Sequence, residues 1–291
     1  MPFATLPDGC RLHYQDHAYF DPWLPRPTVV LLHGFCRNST FWYRWIPIVA
    51  RHFRVLVPDL RGVGRSDVPA PGFAWSLTQF HDDLVGFLDA VGVPRVHVVG
   101  ESMGGMIMPF IANRSPQRFA SIVACSSNLG VRGAMAREMA GGAASMTEAI
   151  TSATTLQDYA RRTDASRLAH AETTEAEREW FADEWAATAR HVWHEWSAVL
   201  VPTIDVTPQL LAGLQCPLLF MGPTRCVKLS QDEARFWVEH ARDAQLQLVD
   251  SASQSLFFAK AEECAALTVE FLLRRFVAPG QEGVARRESK T

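Results

Sequence analysis

The chain has 291 residues, enough for a substantial core arranged as one large domain or two smaller ones. Its 48% apolar and 20% charged residues are those of a soluble globular protein, and a net charge of -3 lacks the excess of Lys and Arg that a nucleic-acid surface requires. No basic start leads into an apolar run, and the longest apolar stretches are strand-sized. Neither a signal peptide nor a membrane span is therefore expected, and the cytoplasm is the expected location. The six cysteines (10, 36, 125, 216, 226, 264) are scattered without a CxxC pair, which argues against a disulfide framework or a zinc site. No metal and no cofactor is expected.

In chain order, "TVVLLHG" (28–34) is a β-branched and leucine run ended by His-Gly, which predicts a buried strand. "NSTFWYRWIPIVARHF" predicts a helix capped by Asn38 or Ser39 and kinked or shortened by Pro47. "RVLVPDL" (54–60) is the next strand. In "SLTQFHDDLVGFLDAVG" the residues Leu77, Phe80, Leu84 and Leu88 share one helical face. "RVHVVGE" predicts a strand, followed by a helix from Ser102 to about Asn113 and a strand in "FASIVACSSN". From about Gly130 to Leu214 no strand-like run occurs, and the alanine-rich, charge-interleaved segment predicts a helical insertion. Strand–helix alternation resumes with "CPLLFMG" (216–222), "SQDEARFWVEHA", "LQLVD" (246–250) and "AEECAALTVEFLLRRF". The polar tail after Pro279 predicts disorder. The alternation implies an α/β fold with a mostly parallel sheet covered on both sides.

Gly100-Glu101-Ser102-Met103-Gly104 fits G-x-S-x-G directly after a strand and at the start of a helix, the context of a nucleophile elbow. Glycines two residues either side of the serine allow a sharp turn and close backbone approach, and the helix N-terminus favours developing negative charge. Acyl transfer also needs two N–H donors for the oxyanion. The residue after the nucleophile, Met103, and Phe35 in the "HGF" loop are the candidates. His33 is expected to hold that turn rather than act as a base.

These residues resemble the α/β-hydrolase superfamily, in its capped epoxide-hydrolase, lactonase and esterase-like branch. "LLHGF", "VLVPDLRGVGRSD", "VVGESMGG" and "TPQLLAGLQCPLLFMG" carry the resemblance, in the family's order, over about 1–128 and 205–275. The resemblance implies an eight-stranded-type, mostly parallel sheet, with a core formed by 1–128 and 206–278 and a helical cap over the nucleophile at 129–205. A disordered tail at 279–291 completes the expected organisation.

Two positions depart from the family. Its acid follows the strand after the cap, where Arg225 stands in "GPTRCVKL". Its histidine follows the last strand, where "VDSASQSLFF" places Ser253 and Gln254. No histidine occurs after His240. Gln254 can hydrogen-bond but is no base at neutral pH. Losing a triad histidine costs on the order of a million-fold in turnover. The alternative acid position, after the strand that follows the elbow helix, reads "CSSN" and holds no carboxylate. His191 and His194 in "RHVWHEW" share one helical face and are an alternative source of a base from the cap. Cys36 and Cys226 are alternative thiol nucleophiles. The resulting expectation is a hydrolase-like enzyme acting through Ser102 on a small, mostly apolar ester, lactone or related carbonyl compound, with a non-standard or missing base. The competing expectation is a catalytically inactive pseudo-hydrolase that binds a small molecule or a partner. The partner expected is a small molecule, not nucleic acid or membrane, and a homodimer is an open option.

Overall fold

The computed structural model describes residues 2–276 except 24, 165–167, 169 and 170. The tail expected to be disordered, 279–291, lies outside the described residues. Eight strands form one sheet: β1 Phe3–Thr5, β2 Arg11–His17, β3 Thr28–Leu32, β4 Arg54–Pro58, β5 Val96–Glu101, β6 Phe119–Cys125, β7 Leu218–Pro223 and β8 Ala244–Val249. Their order is β1-β2-β4-β3-β5-β6-β7-β8. β1 and β2 are antiparallel, and β3 to β8 pair in parallel.

The interior strands are apolar because helices cover both faces, and every residue of β3, β5 and β7 is buried. Edge strand β8 is only half-buried, and it begins at Ala244, two residues before the expected run. The pair β1 and β2 was not legible as strands. Their mixed polar pattern is that of an antiparallel edge with one face in water.

Helix Leu77–Ala90 starts at Ser76, whose side chain accepts the Gln79 N–H, and it buries Phe80, Leu84 and Leu88 as the spacing predicts. One expected helix is shortened at Pro47 as the sequence suggests, and a second is divided. Between 38 and 53 there is a tight turn at Ser39–Trp42, capped by Asn38, and a short helix Ile46–Val49. Pro47 has no N–H and fits only the first turn of a helix, so helix can start beside it but not run through it. Pro109 acts in the same way after Ser102: the helix divides into Met103–Met106 and Met108–Arg114.

Between β6 and β7 the described residues form helices Gly133–Ala140, Met146–Ser152, Leu156–Asp164, Glu175–Ala186 and Arg190–Glu195. Glu175–Ala186 opens with a reciprocal capping box between Thr174 and Glu177. Trp185, Trp193 and Trp196 from this segment are fully buried against the rest of the chain. The C-terminal ends of the parallel strands, where open α/β sheets bind ligands, lie beneath contacts from it.

Candidate active site

The site begins at the end of β5. Ser102 has φ 49° and ψ -119°, in the left-handed half of backbone space that non-glycine residues avoid. A Cβ at Gly100 would stand 2.5–2.6 Å from the Gly104 and Gly105 backbone, and one at Gly104 would overlap the Leu32 and His33 carbonyl oxygens. Only glycine lets these backbones approach so closely. Hydrogen bonds hold the turn: the Ser102 N–H donates to the Cys125 carbonyl at 3.0 Å, and the Ser127 hydroxyl donates to the Ser102 carbonyl at 3.0 Å. Ser102 is 6% exposed, and its hydroxyl has no hydrogen-bond partner among the described residues.

The loop after β3 lies directly beside it. A Cβ on Gly34 would sit 3.2 Å from Ser102 Cβ. Among the described residues no group accepts the backbone N–H of Phe35 or of Met103. His33 is buried, with Nε2 accepting the Leu60 N–H at 3.0 Å and Nδ1 donating to the Gly34 carbonyl at 2.9 Å. Burial pushes its imidazole down to about 4, so His33 braces the turn as a neutral ring. Cys36 and Ser126 share the unusual backbone of Ser102, at φ 51° and 49°. These are the non-glycine positive-φ residues among those described, and they follow β3, β5 and β6, which are neighbours in the sheet. Strained backbone of this kind collects at functional sites.

Two buried charges flank the elbow. Glu101, the second residue of the motif, accepts the Gly34 N–H at 3.0 Å and a guanidinium N–H of Arg37. Arg37 also donates to the Ser255 hydroxyl at 3.1 Å, on the loop that carries Gln254. The guanidinium lies over the rings of Phe181, at 4.9 Å, and Phe257, at 5.1 Å. Neither residue was singled out from the sequence. The available signal was an acid and an arginine set inside otherwise apolar motif segments, "VVGESMGG" and "LLHGFCR".

At the two departed positions the chain is rearranged. The Arg225 side chain is 58% exposed and its Nε donates to Asp250 at 2.8 Å, so it turns outward. Glu172 from the helical segment, almost buried, accepts the Ala252 N–H at 2.8 Å and the Ser251 hydroxyl, with the Arg225 guanidinium 3.6 Å away. Gln254 is fully buried and its Nε2 approaches the Ser126 carbonyl at 3.4 Å. Among the described residues the buried Ser126 hydroxyl has no hydrogen-bond partner.

The alternative bases and nucleophiles are placed elsewhere. His191 donates from Nε2 to the Pro69 carbonyl at 3.0 Å, and His194 is exposed. Neither is hydrogen-bonded to Ser102. Complete burial raises the Cys36 thiol well above its ordinary range, which opposes a thiolate. Cys226 is buried while its neighbour Arg225 is engaged by Asp250. Among the described residues no group of three or more His, Cys, Asp or Glu is placed to hold a metal ion. Nor is any of their helices long and apolar enough to cross a membrane.

The helical segment grips the loop after β3. Trp185 Nε1 donates to the Phe35 carbonyl at 2.8 Å, and the Thr188 hydroxyl donates to the Cys36 carbonyl at 3.0 Å. The Phe35 ring meets Trp193 and Trp196 edge-on at 5.2 and 6.0 Å. Arg61 pairs with Asp83 and Asp8, and Asp67 with Arg11, so both hold loops.

A family model described as alpha/beta hydrolase fold matches residues 27–190. Among curated proteins, RutD of Stutzerimonas stutzeri is 32% identical over 112 residues, 38% of this chain and 41% of that one. Epoxide hydrolase 3 of Siraitia grosvenorii is 35% identical over 101 residues, 33% of this chain and 31% of that one. The chain thus matches about two-fifths or less of the length of these relatives. A hydrolase structure from Pseudomonas aeruginosa PA01 is similar at TM-score 0.77 and 26% identity, covering 92% of this chain and 97% of that one. The enol-lactonase of Burkholderia xenovorans LB400 shares the fold at TM-score 0.76 and 21% identity, covering 93% and 99%.

Proposed function

The chain belongs to the α/β-hydrolase fold family, and from that premise we propose that it hydrolyses a small, mostly apolar ester, lactone or related carbonyl compound through Ser102. The observation that carries this reading is the elbow itself. Among the described residues, a strained serine presents a hydroxyl without a hydrogen-bond partner beside two backbone N–H groups, of Phe35 and Met103, that no other group accepts. The likeness to the Pseudomonas aeruginosa hydrolase supports the same reaction class.

In the proposed reaction Ser102 Oγ bonds to the substrate carbonyl carbon, and the carbonyl π pair moves onto oxygen. The Phe35 and Met103 N–H groups donate to that oxyanion. The serine proton passes to water or the leaving group, because Gln254 is neutral and Arg225 faces outward. The oxyanion pair re-forms the carbonyl as the leaving group departs with its bonding pair; water then adds to the acyl carbon, and Ser102 Oγ leaves carrying a proton from that water. Without a histidine relay the acceleration is confined to what oxyanion donors and binding supply, about 10³–10⁴ over water. Substrates with good leaving groups, or strained lactones, are the class that such a site turns over. The helices of 129–205 serve as the cap, over a core of 1–128 and 206–278. Trp185 and Thr188 support this division by bonding from the cap to the oxyanion-side loop.

A second reading, a non-catalytic binder, is favoured by the Arg225 and Gln254 positions. Stoichiometric labelling by a fluorophosphonate decides between them. The proposal expects labelling that is lost in Ser102→Ala, together with p-nitrophenyl acetate turnover. An unlabelled chain, or unchanged turnover in Ser102→Ala, removes the nucleophile role and leaves the binding reading.

A further inference from the structure

The oxyanion-side loop is held by a buried carboxylate, and a buried carboxylate is a hazard beside a site that must develop negative charge. Glu101 is fully buried one residue before Ser102, and its Oε2 accepts the Gly34 N–H at 3.0 Å. That bond fixes the peptide unit that precedes Phe35. Left alone, the buried carboxylate would repel an oxyanion developing nearby. Arg37 removes the conflict. Its guanidinium, 1% exposed, pairs with Glu101, and a second amino group donates to Ser255 at 3.1 Å. Phe41, Phe181, Trp185 and Phe257 surround the guanidinium at 4.9–5.9 Å and keep water from it. One side chain thereby links the loop after β3, the elbow after β5 and the loop after β8.

We propose that Glu101 and Arg37 are the positioning residues of this site: Glu101 sets the Gly34–Phe35 peptide against Ser102, and Arg37 neutralises Glu101 and anchors the Gln254 loop through Ser255. This rests on the proposed role of Ser102, but part of it concerns backbone order alone. The change Arg37→Lys would keep the charge but lose the fork, because an ammonium cannot span Glu101 and Ser255 in the fixed geometry of a guanidinium.

The test compares Arg37→Met, Arg37→Lys and the double variant Arg37→Met/Glu101→Gln with the parent. Hydrogen–deuterium exchange is read over peptides covering 33–38 and 250–255, beside the fluorophosphonate labelling rate. Arg37→Met should raise exchange over both stretches and slow labelling about a hundredfold, the cost of losing one oxyanion donor. Adding Glu101→Gln should bring exchange over 33–38 and labelling back toward the parent, since an amide oxygen still accepts from Gly34 and needs no cation. Arg37→Lys should keep 33–38 protected and loosen 250–255, and it decides the matter if Arg37→Met does not fold. Unchanged exchange over 33–38 in Arg37→Met, or a double variant no better than the single one, overturns the proposal. If the parent itself is not labelled, the Ser102 role fails while the exchange measurements still judge this pair.

Discussion

Gln254 and Ser126 decide what it would take to give Ser102 a conventional base. Gln254 reaches toward the Ser126 carbonyl at 3.4 Å, whereas Arg225 is turned to Asp250 and Glu172. A histidine introduced at 254 would therefore find its acid from the end of β6 rather than from the end of β7. The double variant Ser126→Asp/Gln254→His should raise p-nitrophenyl acetate turnover at least ~10-fold, a small part of the million-fold that a triad histidine is worth. Aspartate is also among the residues that tolerate the φ of 49° found at Ser126. Arg225→Asp/Gln254→His should gain less, because it sets a third carboxylate beside Asp250 and Glu172. Equal gains in the two variants would show that the loops rearrange freely. At this scale the sequence was informative where a motif has a fixed shape: Ser102, the glycines and the "HGF" loop lie where the pattern puts them. It was silent on Glu101, Arg37 and Glu172, because their roles arise from partners 64, 218 and 79 residues away.

Among the elements, the loop after β8 depends on a carboxylate lent by another part of the chain. Glu172 accepts from Ser251 and Ala252 while almost buried. Glu172→Ala leaves those donors without their acceptor, which should cost about 1–3 kcal/mol and lower Tm by roughly 2–4 °C per kcal/mol in a chain of this size. Exchange over 250–255 should rise with it, and a variant that loses stability without loosening that loop would contradict the assignment. Element identity was legible where burial dictates composition, as in β3, β5 and β7. It was illegible where polar and apolar residues mix, as in β1 and β2. Helix length was misjudged at Pro109, since periodicity continues across a proline that the hydrogen-bond ladder does not cross, whereas the shortening at Pro47 was foreseen.

For the whole molecule, two buried histidines set the response to acid. Burial pushes the imidazoles of His33 and His97 down to about 4. Unfolded, each titrates near ~6.5. Between those values the unfolded chain binds protons that the folded chain refuses, so stability is full above about pH 6.5 and falls as pH drops toward 4. Thermal melts should show Tm declining across that window. The variant His97→Leu/Ser121→Ala, which removes the His97–Ser121 bond together with its acceptor pair, should flatten the decline. Glu177 acts further down the scale. Pairing with Arg44 and bonds from Thr174 hold its carboxyl at about 2, so its contribution begins to fade below the ordinary carboxylate range and is gone only as pH passes that value. A Tm that is flat from pH 7 to 4 would contradict the assignment of neutral buried imidazoles.

The left-handed residues Cys36, Ser102 and Ser126 also bear on the order of events when the chain forms. Each stores about 1–3 kcal/mol of backbone strain, and none can hold its shape until its strand has paired with the next. They are separated by 66 and 24 positions but follow three adjoining strands, so pairing of distant segments must precede them. The rim at the C-terminal ends of these strands is then expected to be the last part of the sheet to set during folding. By the same reasoning it is the first to slacken on warming, before the layers beneath it come apart.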